Sequence, residues 1–215
     1  MQRLRIKFKR GEELKFISHL DITRLWQRAF VRAGIPLAYS QGFNPHPQIS
    51  LAAPLPVGVT GEAEFMDIYC AKNVSPPYFT EAVNRELPEG IEIVQAQQVN
   101  PTLPALQAVV SFAEYNITVA TDKPKEEIEQ MIQHLLSLST LPWQHERDTG
   151  VRHYDLRALI QHIWRADYKD GYAVIGMKLN CDSNGSGRPE QVSLALGFTD
   201  YPHTINRTQL FLKMS

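Results

Sequence analysis

Leu4, Ile6 and Phe8 alternate with Arg5, Lys7 and Lys9, a period-two pattern that predicts a half-buried strand broken by Gly11. The period then changes. Leu20, Ile22, Leu25, Trp26, Ala29 and Phe30 recur at helical spacing. Ser18 with Asp21 three residues on is close to a capping box, so the helix starts near there. Gly34 followed by Pro36 predicts its end. A loop dense in special residues, Tyr39 to Pro47, comes next. Strands are expected at about 48–54 and 63–71, separated by Pro54, Pro56 and Gly58. Ser75 and Pro76 open a helix to about Leu87, and Ile91, Ile93, Val94 and Val99 form another strand after Gly90. The order over residues 1–100 reads βαββαβ, a ferredoxin-like split βαβ unit.

Pro101 and Pro104 mark a linker, and residues 101–215 read as a second α+β unit. Val109 to Ala120 predicts a strand. Pro124, with Glu126 and Glu127 in the first turn, opens a helix to about Leu138. A strand at about 143–148 and a short segment at about 154–160 follow. Strands at about 162–168 and 172–180 flank Asp170-Gly171, a strong tight-turn signal. Residues 182–187 read as a Gly/Ser/Asn loop, Pro189 starts a helix to about Leu196, and Thr208 to Lys213 alternates as a last strand. The expected class is α+β: two ferredoxin-like units in tandem, the second degenerate.

Charge adds an asymmetry to this picture. Of the 215 residues, the first 50 hold nine Lys/Arg and three Asp/Glu, a net of +6, and the rest hold 13 and 20, a net of -7. An N-terminal surface for a polyanion or an acidic partner is the implication. Cys70 and Cys181 are the two cysteines, neither in a CxxC pair, which argues for ordinary buried thiols over metal ligation. His134, His145, His153, His162 and His203 show no ligand spacing, so no metal site is expected. No apolar run is long enough for a membrane span and no signal-peptide core opens the chain, so a cytoplasmic protein is expected.

Several residues are candidates for binding. Arg24, Arg28 and Arg32 follow one another at i, i+4, i+8, which aligns three guanidiniums on one helix face. They either track phosphates or keep the helix solvated. In the loop, Gly42 permits unusual backbone angles and Pro45 and Pro47 stiffen the chain. Tyr39 and Phe43 could stack on bases or fill a partner's pocket, and Gln41, Asn44 and His46 could hydrogen-bond. The alternative is a rigid turn packing Phe43 into its own core. His19 beside Asp21 suggests proton transfer or a simple capped helix start. Asp155 and Arg157 suggest an ion pair, and Gly185 to Arg188 could offer N–H groups and a guanidinium to an anion.

Some of these motifs together resemble a known family. They are Ser18-His19-Leu20-Asp21, Arg24, Arg28-Ala29, Arg32-Ala33-Gly34-Ile35-Pro36 and the run Ser40-Gln41-Gly42-Phe43-Asn44-Pro45-His46-Pro47. Pro54-Leu55-Pro56-Val57-Gly58-Val59, Asp155-Leu156-Arg157 and Gly185-Ser186-Gly187-Arg188-Pro189-Glu190 complete the set. The chain thereby resembles the bacterial radical-SAM-linked family, a domain of unknown function encoded beside a cobalamin-type radical SAM protein or fused to its C-terminus. Two features depart from that pattern: Gly61 stands where a serine is expected, and the segment 148–153 is less lysine-rich. The resemblance implies work with that partner, in RNA or ribosome modification. The iron–sulfur cluster, S-adenosylmethionine and cobalamin would sit on the partner, consistent with the lack of a CxxxCxxC motif here. It carries over no catalytic residue.

Three function classes remain. The first is a non-catalytic accessory or substrate-binding module for the radical SAM partner. The second is a metal-independent endoribonuclease with His19 or His46 as base, by architectural analogy with CRISPR repeat-processing enzymes. The third is a protein-docking domain with no nucleic-acid contact.

Overall fold

The computed structural model describes residues 1–147, 150–182 and 185–213. The chain forms two compact units, Met1–Val110 with the chain from Leu212 onward, and Ser111–Phe211. The architecture is α+β, with antiparallel sheet predominating over a few helices.

The first unit runs β1 (Gln2–Arg10), α1 (His19–Arg32), β2 (Ile49–Leu51), β3 (Val59–Cys70), α2 (Pro76–Asn84), β4 (Ile91–Val99) and the single turn α3 (Leu106–Val109). Its strands pair antiparallel in the order β4-β1-β3-β2. Leu4, Ile6 and Phe8 of β1 and Met66, Ile68 and Cys70 of β3 turn one sheet face toward Trp26 and Phe30 of α1 and Phe79 and Val83 of α2. Trp26 meets Phe8 edge-on at 5.1 Å between ring centroids and stacks on Phe30 at 5.4 Å. Each such burial stabilises by roughly 1.5–3 kcal/mol.

Both ends of α1 follow from local chemistry. The Asp21 N–H donates to Ser18 Oγ at 3.2 Å, and Ser18 Oγ–H donates to Asp21 Oδ2 at 2.7 Å. At the other end, Gly34 has φ +67°, Gly34 N–H donates to Val31 O, and Ile35 N–H donates to Phe30 O. That pair of bonds is a Schellman ending, which glycine adopts without a steric penalty.

The other side of β1 is not the solvated face that alternation predicts. Arg3 is 1% exposed and Asp67 is 0% exposed. Arg3 donates from Nε and Nη2 to Asp67 Oδ2 at 2.9 and 2.5 Å, and Arg5 donates from Nε to Asp67 Oδ1 at 2.8 Å. The remaining Arg3 donors reach the carbonyls of Leu103 and Pro104 at 2.6 and 2.8 Å. The linker after β4 is thus drawn over the sheet by a guanidinium. Part of the N-terminal positive charge is consumed internally.

The second unit runs β5 (Val110–Ala120), α4 (Lys125–Ser137), β6 (Pro142–Arg147), β7 (Gly150–Asp155), β8 (Ile160–Lys169), β9 (Tyr172–Asp182), β10 (Gly185–Ser186), α5 (Pro189–Ala195) and β11 (Thr204–Leu212). β5 lies between β11 and β9, and β8 and β10 both pair with β9. Asp170 at φ +52° and Gly171 at φ +78° make the β8–β9 turn, as the dipeptide predicts.

Elsewhere the boundaries move. The strand expected at 48–54 shrinks to β2, and the helix expected to reach Leu87 ends at Asn84. β11 begins four residues before the expected Thr208, and α3 was not anticipated. β7 replaces an expected irregular stretch. Among the described residues it pairs only with β6, in a two-stranded ribbon whose residues are exposed or half-buried, and they carry no apolar alternation. The expected strand end at 148 and the middle of the expected loop 182–187 lie outside the described residues. No helix among the described residues is long and apolar enough to cross a membrane.

Candidate nucleic-acid interface

Helical spacing does align Arg24, Arg28 and Arg32. All three border one groove of about 460 Å³ beside α1, which Leu25, Leu87 and the acids Asp21 and Glu86 also line. The acids are closer than the sequence suggests. Arg24 Nη1 donates to Asp21 Oδ1 at 3.2 Å. Arg32 donates from Nε to Glu86 Oε2 at 2.9 Å and from Nη2 to the Glu86 carbonyl at 2.7 Å, which braces α1 against the chain after α2. Arg28, between them, makes no hydrogen bond or ion pair with any described residue. The Ser18 hydroxyl first, and then Arg24 and Arg28, hold the Asp21 carboxyl below its ordinary range against an opposing desolvation effect.

The loop Tyr39–Pro47 is stapled at its base. Tyr39 bridges Pro47, Ser40 N–H donates to the His46 carbonyl at 2.8 Å, and His46 N–H donates to Ser40 Oγ at 3.0 Å. Phe43 at the tip is 112% exposed, so it does not pack into its own core. Gly42 beside it has φ +129°. Tyr39, Gln41, Asn44 and His46 are exposed too. The loop and the α1 stripe both belong to the first unit.

His19 does not share a hydrogen bond with Asp21. The carboxylate is engaged by Ser18 and Arg24, while the imidazole borders a small recess with Arg10 and Glu64. No group of three His, Cys, Asp or Glu among the described residues could hold a metal ion.

The expected Asp155–Arg157 ion pair is absent among the described residues. Asp155 Oδ1 instead accepts the backbone N–H groups of Leu141 and Arg157 at 2.8 and 2.9 Å. The Arg157 guanidinium closes the end of α4, donating to Leu136 O at 3.0 Å and Ile160 O at 2.8 Å. Carbonyls left open at a helix C-terminus are natural partners for a cation. Arg157 is therefore a structural brace.

Arg188, by contrast, stands at a recess of about 70 Å³ with His145 and Arg152 of the β6–β7 ribbon, Tyr154 and Ser186. His145, Arg152 and Tyr154 were not among the expected site residues. Their only sequence signal is an i, i+2 alternation of aromatic and basic side chains on either side of Gly150.

A family model described as an uncharacterized protein conserved in bacteria (DUF2344) matches residues 3–189. No curated protein matches the chain. Among solved structures, the chain is similar to one in an H/ACA ribonucleoprotein bound to a substrate RNA containing 2'-deoxyuridine, at TM-score 0.50 and 10% identity. That match covers 97% of this chain and 47% of the other. It is also similar to a chain of a Cbf5-Nop10-Gar1 complex, at TM-score 0.49 and 11% identity, over 97% of this chain and 48% of that one. The present chain thus spans about half the length of the solved chains it matches. At such identities the likeness is one of fold alone.

Proposed function

We propose, from the premise that this chain belongs to the family of uncharacterized proteins conserved in bacteria, DUF2344, that it is a non-catalytic RNA-binding module serving a radical SAM partner. The observation that carries the RNA part is the α1 groove, bordered by three exposed guanidiniums, of which Arg28 makes no hydrogen bond or ion pair with any described residue although Asp21 and Glu86 also line the groove. Guanidiniums at one-turn intervals suit a phosphate backbone, which needs charge and reach rather than a shaped pocket. The exposed ring of Phe43 supplies a second kind of contact in the same unit, stacking. The radical SAM partner, with its iron–sulfur cluster, S-adenosylmethionine and cobalamin, enters from the family resemblance alone. The fold likeness to a chain solved with a substrate RNA makes RNA the first polyanion to test.

We read both units as split βαβ folds. The first has strand order β4-β1-β3-β2, and β11-β5-β9-β8 repeats that order in the second, with two helices in each connection pattern. On this reading the β6–β7 ribbon is an insertion between α4 and β8.

The test is RNA binding by fluorescence anisotropy across a salt series, comparing the wild type with Arg24→Gln/Arg28→Gln. Arg32 is left in place because it braces Glu86. Single-stranded RNA should bind at low salt, and the logarithmic salt slope should fall by about 0.7 for each phosphate contact removed. Absence of binding at 20–50 mM salt, about the lower end of the usual range, overturns the reading in favour of a protein partner.

A further inference from the structure

The β6–β7 ribbon stands apart from the main sheet of its unit, as a two-stranded sheet of its own. Two strands alone are marginally stable in water. This ribbon is held by specific polar ties. Tyr154 Oη–H donates to Oε1 of the buried Gln191 on α5, and Leu141 N–H donates to Asp155 Oδ1. Burial raises the Tyr154 hydroxyl, with the Gln191 bond, Arg188 and Arg152 opposing, so it remains a protonated donor.

The register then decides what the ribbon presents. Trp143 lies opposite Tyr154, and His145 lies opposite Arg152. Directly opposed residues share a face, as do residues two apart. One face therefore interleaves two aromatic rings with an imidazole and a guanidinium. Across the recess stand Ser186 and Arg188. Arg152 lies over the Tyr154 ring, its Cζ 5.8 Å from the centroid. Arg188 is 46% exposed at its side chain and forms an ion pair with Glu190 at 3.8 Å, longer than a hydrogen bond, so its donors remain open to a ligand. Asp155, the carboxylate that borders the recess, has one oxygen committed to two backbone N–H groups.

We infer that this recess is a phosphate-binding site, formed by Arg152, Arg188, His145 and the Ser186 hydroxyl. Two guanidinium forks, a hydroxyl and an imidazole lining one recess supply the donors that suit a tetrahedral oxyanion, which accepts hydrogen bonds in several directions at once. An apolar ligand would strand these donors, and a cation would meet like charge. Trp143, on the same ribbon face, is placed to stack a base next to a bound phosphate. The phosphate assignment stands on the recess itself, while its attribution to an RNA backbone rests on the RNA-binding reading above.

Two measurements separate those layers. Inorganic phosphate titrated into the wild type, followed by the chemical shifts of the His145 and Tyr154 rings, should perturb both, and Arg152→Gln/Arg188→Gln should abolish the response. A single-stranded RNA should lose affinity at least tenfold in that double variant, with a salt slope lower by about 1.4. Arg152→Lys/Arg188→Lys, which keeps charge without the fork, should recover less than half of the loss. If phosphate shifts the rings and the double variant removes the effect, but RNA does not bind any form, the recess stands and the RNA attribution falls. If phosphate leaves the rings unmoved, the site is refuted; if RNA binds the double variant as tightly and as salt-dependently as the wild type, the recess is not where RNA binds and that attribution falls. The Arg24→Gln/Arg28→Gln variant, measured alongside, reports on the α1 groove separately.

Discussion

The indole of Trp164 on β8 lies across Gly176 of β9. The two residues are direct partners in the register, and a Cβ built on Gly176 would come within 2.1 Å of Trp164 Cε2 and 2.3 Å of its Nε1. Such separations are far inside van der Waals contact, so the indole occupies the space that any other residue's side chain would need. Glycine in a strand interior weakens it on entropic grounds, and here a close approach explains its presence. His162, two residues earlier, stacks on the same indole at 5.8 Å between centroids.

Gly176→Ala should therefore destabilise the protein by about 1–3 kcal/mol, the usual cost of overpacking. The effect should appear as a lower denaturation midpoint with an unchanged slope. Trp164→Ala in the same background should relieve the clash, so the double variant should be more stable than the sum of the single changes implies. Simple additivity of the two would show that the indole has another place to go.

Asp67 should be less replaceable still. It is the acid between Arg3 and Arg5, and it and Arg3 are both sealed from water. Asp67→Asn keeps the shape and removes the charge, leaving a buried guanidinium with carbonyls alone. Breaking a buried pair from one side typically costs about 3–5 kcal/mol. Urea unfolding of Asp67→Asn measures this directly. A triple change, Arg3→Met and Arg5→Met with Asp67→Leu, removes the acid together with both of its guanidinium partners and should recover much of the loss. A drop of less than about 1 kcal/mol in Asp67→Asn would mean that the carbonyls of Leu103 and Pro104 suffice for Arg3.

These two relationships also mark where sequence reading stops. Helix α1 was legible from end to end, because Ser18, Asp21 and Gly34 act on neighbours within the same few residues. The Asp170-Gly171 turn was legible for the same reason. The stripe of Arg24, Arg28 and Arg32 could be read from helical spacing, but not Glu86, which comes from 54 residues further along to engage Arg32. Arg3 and Asp67 are 64 residues apart, and alternation on β1 alone could not reveal that its second face is covered. Of the recess around Arg188, the Gly185 to Arg188 segment was legible as a possible anion site, but His145, Arg152 and Tyr154 come from a ribbon without apolar periodicity, and neither spacing nor periodicity reached them. Arg157 shows the opposite limit: its proximity to Asp155 in sequence suggested a pair, while backbone groups claimed both side chains.

The two thiols should differ in reactivity. Cys70 is 0% exposed on β3, and burial pushes its thiol up, which disfavours the reactive thiolate. Cys181, near the end of β9, is half-buried. A disulfide-exchange reagent at pH 8, an ordinary assay value near the free thiol's own range, should modify Cys181 first in the native protein. Cys70 should follow only at the rate of opening of the first unit, and both should react at once in denaturant. Equal native rates would show that the β3 end opens far more readily than its burial implies.

Asp21 gives α1 a pH dependence whose sign can be worked out. In the folded chain its carboxyl sits below the ordinary value, because the Ser18 hydroxyl donates to it first and Arg24 and Arg28 lie close by. A group depressed in the folded state binds its proton more readily when unfolded. Its contribution is therefore fully present above the unfolded value and is lost as pH falls through the folded one. Stability should decline in that acid window, and Asp21→Asn should flatten this part of the profile by lowering the neutral side toward the acid level, only slightly because the group is fully exposed. Ser18→Ala removes the leading cause of the depression and the N-cap together. It should lower stability at neutral pH by about 0.5–2 kcal/mol and move the acid limb upward in pH. Thermal melts from neutral to acid pH on the three proteins check the ordering. An acid limb in Ser18→Ala that coincides with the wild type would mean that Arg24 and Arg28, rather than the cap, set the carboxylate's charge, and the groove's own electrostatics would then be the larger influence on α1.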